Sequence, residues 1–170
     1  DKGTPSGEVV SKSIGTSGGT LQSADGKLTV TIPSGALSSS TTISIQPITN
    51  EAPLGLGFGY SLQPEGLTFA KPVELKFHYD GQLLKNTPED FLWIVTQATD
   101  GSWNAMLKSV VDTGAKTVTI KTAHFSDWAL GRFIDLSLNP SSSTLSKGQS
   151  VTLIVAGFVR DNTLQEDDEL

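Results

Sequence analysis

Apolar side chains recur at every second position along much of this chain, in short runs separated by turn residues. In "KLTVTI" (27–32), Leu28, Val30 and Ile32 share one side, and Lys27, Thr29 and Thr31 the other. "TTISIQPI" (41–48) repeats the pattern through Ile43 and Ile45. "PVELKFHY" (72–79) repeats it through Val73, Leu75, Phe77 and Tyr79, with Glu74, Lys76 and His78 facing away. A period of two sends successive side chains to opposite faces of a strand, so each run has one face to bury and one to leave in water. With no long run of helical period to cover them, such faces are buried by stacking sheet on sheet. The expected fold class is all-β, an antiparallel β-sandwich.

Later segments extend the pattern. "FLWIVTQA" (91–98) is a continuous apolar run, which suits a central strand buried on both faces. "TDGS" (99–102) and "DTGA" (112–115) separate it from "WNAMLKSVV" (103–111) and "KTVTIKTAHF" (116–125), and such loops between alternating runs signal hairpins. Residues 91–131 are therefore expected to form an antiparallel meander. The one segment with a helical look is "DGQLLKNTPEDF" (80–91), where Asn86-Thr87-Pro88-Glu89-Asp90 has the cap-then-proline order of a short helix start.

Composition narrows the function. Only 18% of residues are charged, the net charge is −6, and the basic residues are scattered, so a nucleic-acid partner is not expected. There is no cysteine, which removes disulfides, thiolate zinc sites and a thiol nucleophile. No run approaches the roughly 20 apolar residues of a membrane-spanning helix. The acidic end "QEDDEL" (165–170) lacks the glycine-punctuated spacing of a calcium loop and reads as solvated. No metal or cofactor is expected. An Asp at position 1 fits a processed or trimmed chain, and any leader or lipid-anchored cysteine is expected upstream of it.

Three parts are expected along the chain. Residues 1–14 are a flexible lead-in and first strand, 15–131 the sandwich, and 132–170 the beginning of an immunoglobulin-like β segment. The last part rests on "FIDLSLNPSSSTLSKGQSVTLIVAGF" (133–158), a strand, a Pro/Ser turn and a second alternating strand. It is too short for a complete sandwich of that kind, which takes about 100 residues.

Motifs in the middle part resemble the ZU5 domain family. "GGTLQSADGKLTVTIPSGALSSSTTISIQPI" (18–48) has that family's Gly-Gly-x-Leu opening, its Ile-Pro-x-Gly-Ala-Leu corner and its alternating Ile strand. "YSLQPEGLTFAKPVELKFHY" (60–79) is similar to the next block through Pro64, Gly66, Phe69 and Pro72, and "HFSDWAL" (124–130) stands at the place of the last strand. The resemblance implies a β-sandwich that serves binding and assembly, with a protein partner or neighbouring domains of the same chain. Where animal members continue into a companion and a death domain, this chain continues into the immunoglobulin-like stretch. An exported bacterial protein, at the cell surface or in the periplasm, is the expected setting, and the expected function is a non-enzymatic structural or interaction module.

The resemblance also gives His124-Phe125-Ser126 a second meaning. Some family members carry this tripeptide and break their own backbone after its phenylalanine. Carried over by position, His124 would be the general base and Ser126 the nucleophile attacking the Phe125 carbonyl. The amide becomes an ester that water hydrolyses, with no cofactor. Residues two apart in a regular strand stand about 6.6 Å apart, while proton transfer needs about 2.6–3.2 Å. The dyad therefore requires the strand to bend at Phe125. The competing reading is packing, with His124, Ser126, Trp128 and Leu130 on one face and Phe125, Asp127 and Ala129 on the other. A carbohydrate is a further candidate partner if Trp93, Trp103 and Trp128 line an exposed face, although their spacing also suits core positions.

Overall fold

The computed structural model describes residues 2–84, 87–132, 135–139, 144, 150, 154–158 and 164–166. Two sheets pack face to face, as the alternation predicts. One holds, in spatial order, β1 (Val10–Ile14), β4 (Thr41–Ile48), β5 (Gly55–Gln63), β11 (Asp127–Arg132), β7 (Leu92–Gln97), β8 (Trp103–Ala105) and β14 (Leu164–Glu166). The other holds β2 (Gly19–Gln22), β3 (Leu28–Ile32), β6 (Thr68–His78), β10 (Thr117–His124) and β9 (Val110–Asp112). Neighbours are antiparallel except β14, which runs parallel to β8.

The core takes the inward residues of the alternating runs. Leu28, Val30, Ile43, Ile45, Val73 and Leu75 are all 0% exposed. β3 stops at Ile32 because Pro33 cannot donate to a ladder, and Gly35 then turns the chain with φ at +80°. β7 is buried on both faces, as its continuous apolar sequence predicts. Leu92 and Ile94 join the main core, while Val95 packs with Ala52, Trp103, Ala105 and Ala129 on the opposite side.

The structure departs from the sequence reading in three places. The expected meander over 91–131 is a path that changes sheets twice. β7 and β8 lie in one sheet, β9 and β10 in the other, and β11 returns to the first, between β5 and β7. "WNAMLKSVV" holds two short strands because Met106, 2% exposed, enters the main core and ends β8. Ser109 fixes that crossing, its hydroxyl donating to the Met106 carbonyl at 2.7 Å and accepting the Ile94 N–H at 3.1 Å. The segment expected as a helix start gives two 3₁₀ turns, Gly81–Leu84 and Glu89–Phe91, and Pro88 itself occupies the cap position of the second with no side-chain cap bond. Asn86 lies outside the described residues.

The lead-in runs beside the end of β4. Ser6 N–H donates to the Pro47 carbonyl at 2.9 Å, and Thr49 N–H to the Thr4 carbonyl at 2.8 Å. In the C-terminal part, β12 (Asp135–Asn139) and β13 (Ile154–Phe158) pair antiparallel as a sheet of their own. The turn expected at 140–143 and the acidic residues 167–170 lie outside the described residues.

Leu75 sits mid-strand in β6, fully buried between β3 and β10. Leu75→Ala is expected to lower unfolding stability by about 2–5 kcal/mol in urea titration. A loss below about 1 kcal/mol would contradict its place at the centre of a packed core.

Candidate functional site

β10 and β11 are consecutive but belong to different sheets, so His124-Phe125-Ser126 is where the chain crosses between them. Beside it, residues 64–67 carry the chain from β5 to β6 across the same gap. β5 pairs with β11, and β6 pairs with β10. The two crossings therefore form one antiparallel ladder folded over an edge of the sandwich.

Backbone bonds continue through the fold. Leu62 N–H donates to the Ser126 carbonyl at 3.1 Å, Gly66 N–H to the Phe125 carbonyl at 3.0 Å, and Phe125 N–H to the Leu67 carbonyl at 2.9 Å. Leu67 N–H closes its own turn on the Pro64 carbonyl at 3.1 Å, and Gly66 takes φ +74°, a conformation glycine adopts without strain. The ladder irregularity lies just beyond. Thr68 pairs with His124 and Val73 with Thr122, so β6 runs on five residues where β10 runs on two. Pro72 falls inside that extra stretch, where a missing N–H breaks no pair.

The side chains divide between core and ladder. Phe125 is 1% exposed and meets Phe69 edge-on, ring centres 4.8 Å apart at 71°. The His124 ring lies 5.6 Å from that of buried Trp128, tilted by 31°. Thr122 Oγ1 holds the His124 backbone, accepting its N–H and donating to its carbonyl, both at 3.2 Å. Ser126 Oγ donates to the Gln97 carbonyl at the end of β7, at 2.5 Å. Strict alternation would set Phe125 opposite Trp128 and Leu130, yet all three join the main core. The change of sheet resets the period, because a side chain pointing inward from one sheet faces the other.

The chain does leave its sheet at the tripeptide, and the Phe125 carbonyl accepts an amide hydrogen bond as a developing oxyanion would. The nucleophile is committed elsewhere. A serine hydroxyl has one proton to donate, and here it goes to Gln97, whose carbonyl accepts a hydrogen bond but is no general base. Attack would require that hydroxyl to turn. Sequence reasoning found the tripeptide, and Pro64 and Gly66 among the residues that carry the resemblance. It missed Leu62, Leu67 and Gln97, which act through backbone groups that carry no side-chain signature.

The tryptophans take the core positions their spacing suits and form no exposed sugar-binding face. Trp103 is 4% exposed and Trp128 0%, and Trp93 is half-buried against the second apolar cluster. A cavity of about 320 Å³ opens at one end of the sandwich between Leu56, Phe58, Tyr60, Phe77 and Leu83, with Asp25 at its rim. Buried Tyr60 donates its hydroxyl to Asp25 at 2.7 Å. Burial pushes the Asp25 carboxyl upward, but the Ser23 hydroxyl, the Lys27 amide and the Tyr60 hydroxyl together hold it below the usual range. Among the described residues, no three His, Asp or Glu side chains cluster as metal ligands, and no helix is long and apolar enough to cross a membrane. Neither the protein-family models nor the curated proteins contain a match to this chain.

Two substitutions test these contacts. A Cβ at position 66 would meet nothing within 4 Å, so Gly66→Ala is expected to cost only the positive-φ penalty, about 1–2 kcal/mol. At Gly18, also at positive φ, the same atom would stand 2.3 Å from the Ile32 carbonyl oxygen, so Gly18→Ala is expected to destabilise more. Equal losses in urea titration would contradict the open space at the Gly66 turn. Because the Asp25 carboxyl is depressed in the fold, its contribution is present above the unfolded carboxylate pKa and disappears as pH falls through the folded value. Asp25→Asn is expected to flatten the acid limb of the stability–pH curve, and an unchanged limb would remove Asp25 from that role.

Proposed function

We propose that this chain is a non-enzymatic structural and interaction module of an exported bacterial cell-surface protein, built on a ZU5-type sandwich. The observation that carries this reading is the hydrogen bond from Ser126 to the Gln97 carbonyl. It ties the crossing segment to β7 and turns the one reactive hydroxyl of the tripeptide into a structural stitch. Phe125, clamped by backbone bonds and packed on Phe69, serves the same end. A rigid sandwich followed by further β segments suits a spacer or presenting unit, whose partners are proteins or neighbouring domains.

A second reading, self-cleavage between Phe125 and Ser126, is favoured by the amide of Gly66 on the Phe125 carbonyl and by the change of sheet itself. Intact-mass measurement after prolonged incubation separates the two. The structural reading expects one full-length species, and expects Ser126→Ala likewise to stay full-length while losing about 1 kcal/mol of stability with the hydrogen bond. Two complementary fragments, one ending at Phe125 and one starting at Ser126, would overturn it in favour of self-cleavage. Their disappearance in Ser126→Ala would then identify the nucleophile.

A further inference from the structure

The five-stranded sheet is incomplete along one side of β10. β9 pairs with β10 only at Thr117, Val118 and Thr119, because the chain leaves the sheet at Ser109 to send Met106 into the core. β6 continues along the other side as far as His124. Residues 120–123 thus have a strand on one side and, among the described residues, none on the other. In an antiparallel ladder, alternate residues direct their N–H and C=O to opposite neighbours, so part of this backbone has no strand partner among the described residues. Four residues span about 13 Å of open edge.

A cavity of about 710 Å³ reaches that edge across the outer face of the sheet, where Glu74, Lys76 and His78 of β6 and Thr117, Thr119 and Lys121 of β10 line it. Met106, Val110 and Ile120 give it apolar contacts, and Lys108 and Lys121 stand at it as exposed cations. Val110 is 66% exposed, a large apolar side chain held in water beside the gap. Glu74, opposite Lys121 in the ladder, has its carboxylate on Lys76 at 3.6 Å. Asp112 accepts the Ala115 N–H at 2.9 Å. Neither Lys108 nor Lys121 has an ion pair among the described residues. On a chain of net charge −6, two exposed lysines beside such a strand edge select for acidic side chains.

We infer that the slot beside residues 120–123 accepts an extended segment of a partner protein, added as a strand to β10, with acidic side chains meeting Lys108 and Lys121. Backbone hydrogen bonds would supply affinity, and the alternate side chains on Val110, Ile120 and the lysines would supply selection. The inference rests on the sheet edge and its charges, and stands whether or not the Phe125–Ser126 bond is cut.

Hydrogen exchange on the 170-residue chain comes first. Slot-facing amides within 120–123 are expected to exchange fast, while those bonded to β6 exchange slowly. Uniform protection across all four would mean that the edge is already paired and would end the proposal. The binding probe is an acetylated, amidated Asp-Val-Thr-Val-Asp peptide, compared with Lys-Val-Thr-Val-Lys, followed by backbone-amide chemical shifts. The acidic peptide is expected to shift residues 108–112 and 120–123 saturably and to slow the fast amides, with the basic peptide leaving them unmoved. Lys108→Glu with Lys121→Glu, both at exposed positions, is expected to weaken the acidic peptide about tenfold, two surface charge pairs being reversed. No saturable shift at millimolar acidic peptide, shifts centred elsewhere, or equal binding of both peptides would overturn it.

Discussion

The fold depends on the hydrogen bonds that join its two strand crossings. A chain that passes from one sheet to the other leaves both ladders, and its backbone groups are then buried without the partners a sheet supplies. Here each crossing is the other's partner. Phe125 gives its N–H to Leu67 and its carbonyl to Gly66, and the Ser126 carbonyl goes to Leu62. Neither crossing could be shifted by a residue without stranding the polar groups of the other. Phe69 and Phe125 fill the space beneath the edge, so the sandwich is closed there by core side chains rather than by a loop.

This constraint explains why the tripeptide can be read in two ways. Self-cleavage needs a bent, held peptide with a donor at its carbonyl. A buried crossing needs the same features for structural reasons. What separates the readings is the hydroxyl, and its bond to Gln97 places a third strand, β7, on the corner. Ser126 thus acts across strands from the position at which a nucleophile would act on its own backbone.

Sheet membership was far less legible in the sequence than strand identity. The period-two runs name their own buried faces, since Leu28, Val30, Ile43, Ile45, Val73 and Leu75 can satisfy the pattern in only one orientation. The path between sheets is decided elsewhere, by single residues such as Met106, whose one inward turn divides an apparently continuous strand. The tripeptide was visible because two of its side chains carry chemistry. Its partners were not, because Leu62, Leu67 and Gln97 contribute an N–H or a carbonyl that every residue possesses. The tryptophans left two readings open, core or exposed face, for a related reason. An indole reads the same in sequence on either face, and the seven-stranded sheet buries apolar side chains on both.

The two unusual stretches of β10 follow from one geometric fact. At its start the strand has neighbours on both sides; by Ile120 it keeps, among the described residues, β6 alone, and at Phe125 it leaves the sheet. An edge strand of this kind invites pairing with any extended chain, and exposed lysine is a common protection against it. Lys121 fills that protective role against chains of like charge or none. It cannot do so against an acidic one, for which the charge is an attraction. The same residue thus closes the edge to indiscriminate association and leaves it open to one chemistry, while the bonds at Phe125 and Ser126 hold the far end of the strand in place.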